Sequence, residues 1–155
     1  MKIPSRITDI FHRSRRIKKI YHNLNIIYIF SLVSLFFNFY SDIDTYNTGL
    51  SINSFQGELS IIGINLLVIQ SVLIIYNIDK KIIDKKIKIL KGIQLDLSNL
   101  IGICFSIYLV LLYFFITQSN AFGVNPLFKN YGIGFYTFLT LQIIALFKLL
   151  KIKNV

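Results

Sequence analysis

The sequence predicts an all-α integral membrane protein with four transmembrane helices and basic amphipathic cytoplasmic segments. Three observations carry that expectation. Of 155 residues, 54% are hydrophobic and 15% charged, against about 25% charged in an ordinary soluble domain. Four long runs contain no charged residue, and each comes near the roughly 20 residues that cross a bilayer core. Finally, 16 of the 17 Lys and Arg residues fall in three segments that alternate with those runs so as to share one side.

The first predicted span covers Leu24–Tyr40, the second Leu59–Ile78, the third Leu97–Thr117 and the fourth Tyr131–Phe147. Residues 1–23 form a basic amphipathic cytoplasmic segment and residues 24–155 a four-span membrane domain. Abundant Ile, Phe, Tyr and Val favour strands locally. Barrel strands, however, alternate apolar and polar residues over about ten positions. These runs are continuous, so helices are expected, and helices satisfy their own backbone groups in lipid.

Basic residues set the orientation. Lys2, Arg6, Arg13, Arg15, Arg16, Lys18 and Lys19 precede the first run; Lys80, Lys81, Lys85, Lys86, Lys88 and Lys91 separate the second from the third; Lys148, Lys151 and Lys153 follow the fourth. The other two connections hold only Lys129. The positive-inside rule therefore places both termini in the cytoplasm. No small-x-small cleavage site follows the first run, so it reads as a retained signal anchor. The Ile, Lys, Asn, Phe and Tyr usage suggests an AT-rich gene and a bacterial plasma membrane.

Both long basic segments are amphipathic. Ile3, Ile7, Ile10 or Phe11, Ile17, Tyr21 and Leu24 recur at helical spacing in the first, interrupted by Ser14, and Ile83, Ile87 and Leu90 in the second. Pro4 suits a helix start and Gly92 a helix stop. Asp96 or Ser98 is placed to cap the returning third helix. Anionic headgroups or an acidic cytosolic protein are the expected partners of the basic face, formed by Arg13, Arg15, Arg16, Lys18, Lys19, Lys80, Lys81, Lys85, Lys86 and Lys88. Nucleic acid would be engaged only indirectly, if at all.

The runs hold no Asp, Glu, Lys, Arg or His, which argues against an ion-coupled transporter or a proton relay. Their uncharged polar residues Asn65, Gln70 and Gln142 have two open roles, interhelical hydrogen bonding or lining of a polar cavity. Ser98, Gly102 and Ser106 make a small-residue stripe for close helix packing, against another span or another subunit. A homo-oligomer is expected. Gly132 and Gly134 are expected to loosen the start of the fourth helix.

Signs of catalysis and metal binding are lacking. His12 and His22 have no ligand constellation around them, Cys104 has no second Cys, and Asp42-Ile43-Asp44 lacks further ligands at calcium-loop spacing. No nucleotide, hydrolase or zincin motif occurs. The expectation is a non-enzymatic protein without cofactor or metal. It self-associates and recruits or anchors a cytosolic partner, with a role in bacterial anti-phage defence as one setting. Immunity to a pore-forming bacteriocin and a holin-like pore are the alternatives. Small four-span proteins with cytoplasmic termini occur in bacteriocin immunity and in anti-phage systems; the resemblance is one of size and topology, and no motif carries it.

Topology is directly measurable. In a bacterial host, green fluorescent protein fused after Val155 should fluoresce and alkaline phosphatase fused there should be inactive, whereas phosphatase inserted after Asn47 should be active.

Overall fold

Four helices alternate in direction around a shared core. In this computed structural model the described residues are 5–41, 51–55, 59–78, 96–119 and 131–150. Helix α1 spans Ser5–Ser34, α2 Ser60–Ile78, α3 Leu97–Ser119 and α4 Ile133–Leu150. Two short strands, β1 (Asn38–Ser41) and β2 (Ser51–Asn53), pair antiparallel between α1 and α2. Helix α1 packs on α2 and α4, and α3 packs on the same two. The four helices therefore close a square, with α1 diagonal to α3.

The buried positions explain this arrangement. They fall at Tyr21, Leu24, Tyr28, Ser31 and Leu35 along α1 and its end, at Asn99, Ile103, Ser106, Val110 and Tyr113 along α3, and at Phe135, Phe138, Gln142, Ala145 and Leu149 along α4. Spacings that alternate between three and four residues keep one stripe facing the partners, as in knobs-into-holes bundles. Helix α2 turns Ile62, Leu66, Gln70, Leu73 and Asn77 inward. One apolar cluster gathers Tyr21, Leu24, Leu73, Ile103, Ala145 and Leu149 near one end of the bundle. A second gathers Leu35, Phe39, Ile62, Tyr113, Tyr131 and Phe135 near the other, called here the hairpin end.

The outward faces are as apolar as the core. Ile61, Ile64, Val68, Val72, Ile75 and Ile78 of α2 are all exposed, and Ile61 keeps 66% of its surface open. Helix α3 shows Ile101, Phe105, Tyr108 and Phe115, and α4 shows Ile133, Ile143, Ile144 and Phe147. Soluble monomers rarely present contiguous apolar surface on this scale. Three of the described helices, α2, α3 and α4, are long and apolar enough to cross a membrane. Helix α1 is not among them, because Lys18, Lys19, His22, Asn23 and Asn25 dilute its apolar residues.

The first predicted span needs correction at its far end. Helix α1 stops at Ser34, and the chain turns before entering β1 at Asn38, so Asn38–Tyr40 are extended rather than helical. The last turn tightens, with Leu35, Phe36 and Phe37 N–H groups donating to the carbonyls three residues back, each at 3.2 Å. Ser54 then takes the Leu35 carbonyl with its backbone N–H at 3.3 Å and its hydroxyl at 2.8 Å. An orphan carbonyl at the helix end is thus satisfied by the hairpin. At its other end α1 continues unbroken through the predicted boundary at Leu24, back to Ser5. Its 30 residues make it about 45 Å long.

Aromatic rings fill the hairpin end. Phe39 meets Tyr113 and Phe135 edge-on at centroid distances of 5.7 and 5.8 Å, and Tyr131 lies 4.6 Å from Phe135. Gly132 donates its N–H to the Phe39 carbonyl at 3.0 Å. A Cβ at Gly132 would overlap the Asn38 carbonyl, and one at Gly134 would come within 2.9 Å of the Ser34, Phe37 and Asn38 oxygens. These glycines do not loosen the helix, as the sequence suggested. They admit the β1 backbone against the start of α4, where no side chain fits.

The same contacts rank two substitutions. A Cβ at Gly63 would strike the Ser54 carbonyl, whereas one at Gly102 would meet only the tip of the Leu73 side chain, at 2.8 Å. Gly63→Ala should lower stability by about 1–3 kcal/mol through overpacking, outweighing the roughly 1 kcal/mol gained in helix propensity. Gly102→Ala should change it less, because the atoms in the way belong to a side chain with rotatable bonds and not to a backbone carbonyl. Thermal unfolding in mild detergent checks the order.

Candidate functional site

Polar side chains are concentrated inside the bundle. One cluster lies where α2 ends and α3 begins. Asp96, 6% exposed, precedes α3 and caps it, its Oδ1 accepting the Asn99 N–H at 3.3 Å. Its Oδ2 accepts from the Tyr21 hydroxyl at 2.8 Å and from Asn99 Nδ2 at 2.8 Å. Of the two caps the sequence offered, Asp96 takes the role.

Asn99 is the hub. Its Nδ2 also reaches Asn77 Oδ1 at 2.9 Å, and Asn77 Nδ2 returns a bond to Asn99 Oδ1 at 3.0 Å. The Tyr28 hydroxyl gives Asn99 Oδ1 a second donor at 2.9 Å. One buried amide thus ties α3 to α2 through a reciprocal pair and to α1 across the diagonal. All of these atoms lie away from water, where an unmade hydrogen bond costs most.

A second layer lies two turns further into the bundle. Gln70 Nε2 donates to Ser106 Oγ at 2.9 Å, and Ser106 donates to the Gly102 carbonyl at 2.8 Å. Gln142 Nε2 donates to Ser31 Oγ at 3.0 Å and to Gln70 Oε1 at 3.2 Å. Ser31, Gln70, Ser106 and Gln142 are each 0% exposed. Each of the four helices therefore contributes one polar residue to a single hydrogen-bonded layer.

The residues singled out in the sequence divide accordingly. Gln70 and Gln142 meet at the centre. Asn65 does not join them: it faces outward, its Nδ2 turned back to the Ile61 carbonyl at 2.7 Å. Ser98, Gly102 and Ser106 face α2 of the same chain. Ser98 pairs with the Tyr76 hydroxyl at 3.0 Å, Gly102 lies against Leu73, and Ser106 accepts from Gln70. That stripe is an interface within the chain. Lys18 and Lys19 are exposed on α1, which also carries Arg13, Arg15 and Arg16. Lys80, Lys81, Lys85, Lys86 and Lys88 lie outside the described residues.

Tyr21, Tyr28, Ser31, Asn77 and Asn99 escaped the sequence reading as members of a site. A usable signal was present, since polar residues repeat at intervals of seven: Gln70 and Asn77, Asn99 and Ser106, Tyr21 and Tyr28. Seven residues return a helix to nearly the same face. Chemically, the assembled groups are amides, hydroxyls and one helix-capping carboxylate, suited to holding helices in register. Among the described residues no group of three or more His, Cys, Asp or Glu side chains is placed to hold a metal.

Asn99→Ala should remove the hub and leave Tyr28 and Asn77 without interhelical partners. Each such bond is worth about 0.6–1.7 kcal/mol in a membrane bundle, so a loss of roughly 1–3 kcal/mol is expected in denaturant titration. Asn65→Ala, acting on an outward side chain, should change stability little. No protein-family model, curated protein or solved structure matches the chain, so the chemistry of this interior is what bears on its role.

Proposed function

We infer that this chain is a non-enzymatic bacterial inner-membrane protein with four spans and cytoplasmic termini. It self-associates and anchors a cytosolic partner through its basic face, and a place in anti-phage defence suits that role. The observation that carries the reading is the direction of the helices. Tyr21, Asn77, Asn99 and Leu149 meet at one end of the bundle. In the chain, the basic stretch of α1 leads into Tyr21, the Lys80–Lys91 segment follows shortly after Asn77, and the Lys148–Lys153 stretch begins beside Leu149.

The continuity of α1 gives this face reach. Residues 5–20 extend the helix beyond Tyr21 by about 24 Å. Its apolar exposed residues Ile26, Ile29, Phe30 and Val33 align with the apolar outer faces of the other helices, which supports α1 as a fourth span closed by the hairpin. A cationic helix rooted in such a bundle suits an acidic protein surface docking beside anionic headgroups.

A second reading has its own support. Asn65 is an exposed amide on an otherwise apolar outer face, and interhelical hydrogen bonds of such groups are found where membrane helices associate. That favours contact with another helix inside the membrane, as in immunity to a pore-forming toxin. Gln70 is fully buried and cannot contribute to such a contact.

Affinity purification of the tagged protein from its host in mild detergent separates the two. With Arg13, Arg15, Arg16, Lys85, Lys86 and Lys88 changed to Gln and topology verified, a co-purifying soluble partner should be lost at least tenfold while Asn65→Leu retains it. Undiminished recovery of the partner by the neutralised variant would refute recruitment by the basic face.

A further inference from the structure

The central layer leaves one polar atom unserved. Gln142 Nε2 donates to Ser31 and Gln70, but Gln142 Oε1 is buried and has no hydrogen-bond partner among the described residues. Turning the amide over does not cure this. The oxygen would then accept from the Ser31 hydroxyl and, with Gln70 turned as well, from Gln70 Nε2. The Gln142 nitrogen would take the outlying position, carrying N–H donors in place of lone pairs. Either orientation leaves a buried polar atom at the same place, and leaving it unpaired costs about 1–3 kcal/mol.

We propose that a water molecule is bound at the centre of the bundle, against the outlying amide atom of Gln142, completing the Ser31–Gln70–Ser106–Gln142 layer. Water donates to a carbonyl and accepts from an N–H, so it serves either amide orientation. Buried waters make two to four hydrogen bonds to groups otherwise unsatisfied. In the orientation that presents the Gln142 oxygen, the two acceptors of Gln142 Nε2 keep bonding capacity of their own, a second lone pair on Gln70 Oε1 and the hydroxyl hydrogen of Ser31. A cation would serve only the orientation that presents oxygen. The four residues come from four helices and are each fully buried, so the site exists only in the assembled bundle.

The test uses the full chain in lipid nanodiscs with its glutamine side-chain amides labelled with nitrogen-15. The Gln142 resonances are identified by their loss in Gln142→Met, or, should that variant fail to fold, by elimination with Gln56→Met, Gln70→Met, Gln94→Met and Gln118→Met, which assign the other four glutamines. Magnetisation transfer from water to the Gln142 amide protons is expected, at least fivefold above that to the backbone amides of Leu141 and Ile143. Transfer no greater than theirs would overturn the proposal. So would transfer that vanishes when sodium and potassium are replaced by a bulky organic cation, since the water would then be the hydration shell of a bound ion.

Discussion

A polar atom buried among hydrocarbon groups has no water to fall back on, and the packing of this bundle follows from that. Asn99 joins α3 to α2 and α1, and the Ser31–Gln70–Ser106–Gln142 layer draws one side chain from each helix. Sliding or rotating any helix by one residue would replace a paired amide or hydroxyl with an aliphatic neighbour. The cost falls on both partners, because each is desolvated whether or not it is paired. Buried polar groups serve in this way to specify register in helical assemblies. Here they recur every seven residues, in step with the packing stripe.

The outer surface explains why this matters. Where apolar groups face outward as well as inward, burying more of them in the core gains little, since lipid chains solvate Leu and Ile as well as a protein interior does. Cohesion must come from close contact and hydrogen bonds. Close contact is visible where Gly102 lets Leu73 approach α3. Hydrogen bonding is visible in the two polar layers. Helix α1 supplies Tyr21, Tyr28 and Ser31 to these layers although it is the least apolar of the four helices, so its place in the bundle depends on polar contacts more than its hydropathy suggests.

At the hairpin end the constraint changes from hydrogen-bond pairing to space. The β1 strand, the Ser54 turn and Tyr131 close over an aromatic cluster built on Phe39, Tyr113 and Phe135. Gly63, Gly132 and Gly134 all sit where a neighbouring backbone carbonyl occupies the room a side chain would need. The two ends of the molecule thus differ in character, with a hydrogen-bonded cluster around Asn99 at one and packed aromatic rings at the other.

Much of the architecture was legible in the residue order. The limits of α2 and α3 agree closely with two predicted spans, and α4 is displaced by only a few residues, because hydropathy is a local property that adds along a segment. A cap at the start of α3 was legible as a local pattern too, though the choice of Asp96 over Ser98 was not. The end of α1 was not: Leu24–Tyr40 holds no charged residue, Gly or Pro to mark a stop, and only Ser54, twenty residues further on, shows why the helix stops at Ser34. Nor could sequence say which partner the Ser98–Gly102–Ser106 stripe faces, or that Asn65 and Gln70, five residues apart, point in opposite directions. By itself, then, the sequence determined the apolar helices and the segregation of basic residues. The tertiary structure alone decided which polar groups meet, because that depends on the relative rotation of helices far apart in the chain, which no local pattern encodes.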